Sequence, residues 1–211
     1  MSVRIVVLGA GPGGYVAAIR AAQLGADVTL VEADSVGGTC LNRGCIPSKV
    51  MITTAELLNK LRKADTFGIT IDGNVRVDMS RLLERKEKVV QDQCRGVLNL
   101  LKHHRIRVLE GTGYLKESGM IRVRLNEGGK EDIVWDRLIL ATGSRPLSLP
   151  GFPFDGEKIL SSDHALELRE VPESILIVGG GVIGCEFAFL FSSLGARVVV
   201  VEALSLQGAS A

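Results

Sequence analysis

The feature that most limits what this chain can fold into is a repeat. Ile5, Gly9, Gly11 and Gly14 return 170 positions later as Ile175, Gly179, Gly181 and Gly184, and the same offset carries Leu24-Gly25-Ala26 onto Leu194-Gly195-Ala196 and Val31-Glu32-Ala33 onto Val201-Glu202-Ala203. Each copy reads as one βαβ unit: an apolar strand running into glycines, a helix closed by Gly25 or Gly195, and a second apolar strand ended by an acid. In such a unit the first glycine makes the tight turn, the second lets backbone approach a pyrophosphate, and the third packs the helix on its strand. The pyrophosphate rests on the unpaired amides and positive dipole end of the helix. Glu32 and Glu202 stand where an acid accepts hydrogen bonds from an adenosine ribose. A lone glycine fingerprint is weak evidence, but here both copies carry the strand, the helix, the closing glycine and the acid. The chain is therefore expected to bind two dinucleotides and to pass electrons between them.

Composition narrows the alternatives. The 211 residues fit about one and a half domains. Twenty-five Lys plus Arg against 24 Asp plus Glu leave a net charge of +1, without the basic excess of a nucleic-acid binder. The apolar stretch over residues 175–190 is interrupted by four glycines and Glu186, so it reads as strand, turn and helix rather than as a membrane span. No targeting segment is evident, and a soluble, cytoplasmic chain is expected.

Four cysteines are too few for a disulfide scaffold. Cys40 and Cys45 lie in a glycine-rich stretch, residues 37–49, that ends in Ile46-Pro47-Ser48-Lys49. Pro47 suits a first helical turn, which sets Cys45 just before a helix N-terminus, where the dipole favours an anionic sulfur. Gly44 gives the backbone freedom to bring the two sulfurs together. The pair reads as a redox-active disulfide; the alternatives are a metal site or two inert thiols. No metal is expected, because His103, His104 and His164 show no matching spacing. Cys94 falls in line with Val90, Val97 and Leu101 on a helix expected over Met79–His103 and reads as a small core residue. Cys185 opens the second dinucleotide helix, where the dipole could favour an anionic sulfur, but packing is the role expected of it.

Residues 37–49, the doubled fingerprint and Ala141-Thr142-Gly143-Ser144-Arg145-Pro146 together resemble the flavoprotein pyridine nucleotide-disulfide oxidoreductases, from Ser2 to about Leu204. Within them Leu41-Asn42-Arg43 and Ile46-Pro47-Ser48-Lys49 are most similar to the dihydrolipoyl dehydrogenases, with mercuric and glutathione-type reductases as the related alternatives. The resemblance implies an α/β fold: a Rossmann-like three-layer FAD-binding domain over residues 1–148, then the start of a second Rossmann-like, NAD-binding domain over 149–204, and a tail, 205–211, unlike the family. A small antiparallel meander over residues 112–135 is expected to pack on the parallel sheet.

The resemblance also implies roles. Gly9, Gly11, Pro12, Gly13 and Gly14 would face the FAD pyrophosphate and Glu32 its ribose; Gly38, Thr39 and Cys40 would lie along the flavin. Cys40 would be the interchange thiol that meets the lipoyl substrate, and Cys45 the thiol beside the flavin. Lys49 would pair with Glu186. Thr142, Gly143 and Ser144 would close over FAD, and Gly113 would contact the adenine or simply make a strand turn. Gly179, Gly181, Val182, Ile183 and Gly184 would hold the second nucleotide. Glu202 would accept from a free 2′-hydroxyl and repel a 2′-phosphate, favouring NAD over NADP.

The implied reaction oxidises dihydrolipoamide and reduces NAD, serving lipoyl groups of 2-oxoacid dehydrogenase or glycine cleavage complexes, in a homodimer. Family members run to about twice this length and carry a later His–Glu pair, so a truncated chain without turnover, acting as a FAD-binding or interaction module, is the competing expectation. A single βαβ unit from about Glu173 to Ala203 buries too little to stand alone and must lean on the first domain, pair with another chain, or stay disordered.

Overall fold

The computed structural model describes residues 2–117 and 119–203. Leu204 and the tail at 205–211 lie outside the described residues. Contacts gather the chain into two units, residues up to 46 with 90–147, and 47–89 with 148 onward.

In the first unit β1 (Arg4–Leu8) is the hub of the sheet. It pairs in parallel with β2 (Asp27–Glu32) on one side and β6 (Arg137–Leu140) on the other. The sheet order is β5-β4-β3-β2-β1-β6. Unbroken apolar runs form the inner strands because both faces are covered, and alternate residues serve different layers. Val7 and Leu30, both at 0% exposure, meet α1 (Pro12–Gln23) and the later part of α4 (Met79–His103), through Ala18, Val97 and Leu101. Val6, Leu8 and Val31 point the other way and pack on Ile121 and Val123. Each such side chain contributes about 1.5–3 kcal/mol by leaving water.

Ile121 and Val123 belong to the meander of β3 (Arg107–Glu117), β4 (Met120–Leu125) and β5 (Lys130–Val134). The expected third layer is present, and it is also joined to the sheet edge. The first four residues of β3 pair in parallel with β2, and from Gly111 onward the strand turns to pair antiparallel with β4. The handover is tight: a Cβ on Gly111 would lie 2.4 Å from the Arg124 carbonyl oxygen.

An ion pair fixes the outer edge. Arg4 donates from its main chain and guanidinium to Asp136 at 2.7–3.1 Å, and these bonds hold the Asp136 carboxyl at about 2.

The second unit contains the second copy, β7 (Ser174–Val178), α6 (Val182–Leu194) and β8 (Arg197–Val201), as a two-stranded parallel sheet with one helix. This small unit packs on residues 47–89, which the contacts gather with it. Phe187, Leu190 and Phe191 of α6 share a core with Met51 and Ala55 of α3 (Cys45–Arg62) and Leu82 at the start of α4. Polar ties reinforce it. Asn59 donates to Ser193 Oγ at 2.8 Å, Arg62 to the Ser193 carbonyl at 2.7 Å, and the buried Lys86 to the Leu166 carbonyl at 3.0 Å while pairing with Glu167.

Among the described residues no helix is long and apolar enough to cross a membrane.

Candidate functional site

The first dinucleotide turn sits at the carboxyl end of β1, where neighbouring connections leave toward β2 on one side and away from β6 on the other. Such a switch point is where open α/β sheets bind ligands. Gly9 turns with φ +96°, and a Cβ there would lie 2.1 Å from the Ala141 carbonyl oxygen; a Cβ on Gly14 would lie 1.7 Å from the Gly9 carbonyl oxygen. These glycines are required by the protein's own packing. Gly11 is different: it is the N-cap of α1, extended at φ −70°, with no side-chain cap and no acid in the first turn. A Cβ at Gly11 would make only an ordinary contact, 3.7 Å to Gly38, so space and bare amides are left at the positive end of the helix, which suits a diphosphate.

Glu32 is anchored for its part. Its carboxylate accepts from the Ala10 amide at 2.7 Å and from the Asp34 amide at 2.8 Å, leaving further lone pairs for ribose hydroxyls. The second copy repeats this, with Gly180 donating to Glu202 Oε2 at 2.7 Å. There Gly181 caps α6 at φ −70°, and a Cβ on it would meet nothing within 4 Å. Both turns therefore fit a dinucleotide, by open space at an uncapped helix start and by an oriented acid beyond it.

The cysteine stretch is tied to the first turn. Gly37 donates to the Ala10 carbonyl at 2.8 Å, and a Cβ on Gly38 would lie 2.6 Å from the Gly11 Cα. Thr39 Oγ1 donates to the Ser144 carbonyl at 3.5 Å, which brings the expected segments 38–40 and 142–144 together, with Gly143 at φ +74°. One local expectation is corrected: Cys45 is the first residue of α3 rather than the residue before it. Cys40 lies on a short helix of its own, α2 (Gly38–Arg43). Gly44 matters for close approach: a Cβ there would come within 3.0 Å of the Thr39 carbonyl oxygen and 3.3 Å of the Cys40 Cα, so the absent side chain lets the two helices fold tightly. Cys40 is partly buried and Cys45 exposed.

Lys49 and Glu186 meet as expected, Nζ to Oε1 at 3.5 Å. They line an open cleft of about 800 Å³ with Gly181, Val182, Thr53 and Glu56. Thr53 and Glu56 were legible in principle, because they follow Lys49 by four and seven positions and share its helix face. Cys185 lies in the same cleft, exposed, with its thiol directed to the Gly180 carbonyl at 3.2 Å; the packing role assigned to it is wrong, since α6 buries Phe187, Leu190 and Phe191 instead. Gly113 lies within β3 and not in a turn, and a Cβ on it would strike Leu8 at 2.8 Å. His103 and His104 meet edge to face at the end of α4.

Sequence comparison agrees with this geometry: residues 3–207 match the pyridine nucleotide-disulphide oxidoreductases. The chain belongs to that family. It is 50% identical over 202 residues to dihydrolipoyl dehydrogenase 2 of Haloarcula marismortui, covering 95% of this chain and 42% of the relative. The dihydrolipoyl dehydrogenases of Bacillus subtilis and Chlamydia trachomatis are 45% and 47% identical, over 94% and 95% of this chain and 43% of each relative. The chain thus spans under half the length of the curated relatives it matches. Among solved structures, LpdA of Mycobacterium tuberculosis superposes with a TM-score of 0.86 at 29% identity, over 95% of this chain and 44% of that one. The HOCl-induced flavoprotein disulfide reductase RclA of Escherichia coli, solved as a Cu(II) complex, gives 0.81 at 29% identity, over 98% and 43%.

Proposed function

We propose that this chain carries the FAD-binding and dithiol-exchanging part of a dihydrolipoyl dehydrogenase, which oxidises dihydrolipoamide and reduces NAD. The observation that carries the reading is the tight turn at Gly44, which sets Cys40 and Cys45 on consecutive helices directly after the glycines that abut the first dinucleotide turn.

The exchange balances on the chain's own sulfurs. A substrate thiolate attacks Cys40 Sγ of the Cys40–Cys45 disulfide, and Cys45 leaves as thiolate. The second substrate thiol then attacks its neighbour in the mixed disulfide, releasing cyclic lipoamide and reduced Cys40. Two electrons and two protons have left the substrate. Bound flavin would supply the relay of that electron pair to NAD. Lys49, held by Glu186, would place a positive charge one helical turn beyond Cys45 in α3. Glu202, oriented by the Gly180 amide, would favour the free 2′-hydroxyl of NAD. Lipoyl groups of 2-oxoacid dehydrogenase or glycine cleavage complexes are the proposed partners, and a homodimer the proposed assembly.

Peptide mapping tests the pairing. After mild oxidation a Cys40–Cys45 disulfide is expected, opened by dihydrolipoamide to two thiols at those positions. Cysteines that stay apart, or that pair outside these two positions, would defeat the reading.

A further inference from the structure

The short helix that carries Cys40 is held by a residue between the two cysteines of the reading above. Asn42, on α2, donates from its amide nitrogen to the Gly38 carbonyl at 2.9 Å and to the Val36 carbonyl at 3.2 Å. Two carbonyls on that side require the NH₂ group to face them, so the amide oxygen must face away, where only a donor is tolerated. Cys94 of α4 fills that place, its thiol donating to Asn42 Oδ1 at 3.3 Å. Cys94 packs against the same core as Cys40 and Leu41. Its position thus does more than fill space: its S–H ties the amide's outward oxygen to α4, the amide holds Gly38, and Gly38 is the residue whose backbone abuts Gly11 of the dinucleotide turn. Arg43 pairs with Asp34 at the far end of the same helix, closing α2 from the other side.

We propose that Asn42 and Cys94 are positioning residues for Cys40, with Cys94 acting through Asn42 to keep the α2 helix, and so the partly buried Cys40 sulfur, in one place against the first dinucleotide turn. The proposal rests on the reading of Cys40 and Cys45 as the redox pair. The relation is one-sided: Cys45 begins the next helix and takes no part in these three bonds, so loosening the clamp frees Cys40 and leaves Cys45 as it is.

Alkylation of the reduced chain by iodoacetamide, followed by peptide mass, reads the rates at Cys40 and Cys45 separately. Cys94→Ala removes the donor and is expected to raise the Cys40-to-Cys45 rate ratio about 2- to 5-fold, the span of one weak hydrogen bond. Cys94→Ser keeps a donor to the same oxygen and returns the ratio to the wild-type value. Asn42→Ala, which removes all three bonds, raises it further. The proposal is overturned by an unchanged ratio in Cys94→Ala, by equal shifts in Cys94→Ala and Cys94→Ser, or by Cys40 and Cys45 rates that rise together as in general loosening. Because alkylation needs neither flavin nor turnover, a wild-type chain that forms no dithiol-reducible Cys40–Cys45 disulfide would sink the redox reading while the ratio still decides the clamp.

Discussion

The two copies of the dinucleotide unit are nearly superimposable in their local chemistry and unlike in their surroundings. Gly9 and Gly179 turn at φ +96° and +107°, and each donates to the end of its second strand, Val31 or Val201, at 2.8 Å. Both N-caps, Gly11 and Gly181, sit at φ −70°, and both acids, Glu32 and Glu202, accept from the amide after the first glycine at 2.7 Å. Even the register repeats, Arg4 opposite Asp27 and Ser174 opposite Arg197. What differs is cover. Val6 is 1% exposed and its counterpart Leu176 is 61% exposed, because β1 lies inside a sheet with a layer on each face while β7 and β8 have α6 on one face only. The turn is thus written in each unit's own residues, whereas its burial depends on neighbours supplied elsewhere.

Equivalent substitutions should therefore have unequal effects. Gly9→Ala meets both a positive φ and the Ala141 carbonyl, so denaturant unfolding of the first unit should show a loss of at least about 3 kcal/mol. Gly179→Ala has a positive φ but no clash within 4 Å, and should cost only about 1–2 kcal/mol. Equal losses would mean that the two turns are packed alike. A smaller contrast is expected one layer in. Val6→Ala should cost about 2 kcal/mol, and Leu176→Ala no more than about 0.5 kcal/mol; a Leu176 effect as large as that of Val6 would show that its exposed face is covered in solution.

The same contrast separates what the sequence discloses from what it does not. Elements with a local cause were legible: the glycine turns, the helix closed by Gly25, and the Met79–His103 helix with its buried Val90, Val97 and Leu101; the Lys49–Glu186 pair, distant in sequence, was implied by the resemblance alone. Features set by contacts distant in sequence were not. Nothing near Cys185 says that Phe187 and Phe191 take the buried face of α6 in its place. The dual pairing of β3 depends on Gly111 meeting Arg124, and the packing of residues 47–62 with the second copy depends on Asn59 and Arg62 reaching Ser193. At Gly44 backbone freedom is legible locally, and the close approach to Thr39 and Cys40 is a second reason that the local sequence does not show.

If the first dinucleotide turn and the cysteine pair form one redox centre, the absorption spectrum of the FAD-loaded chain will report it during titration with dihydrolipoamide. A long-wavelength band from the Cys45 thiolate to the flavin is expected, present in the wild type and lost in Cys45→Ser. Bound flavin whose spectrum shows no such band with either chain would contradict it.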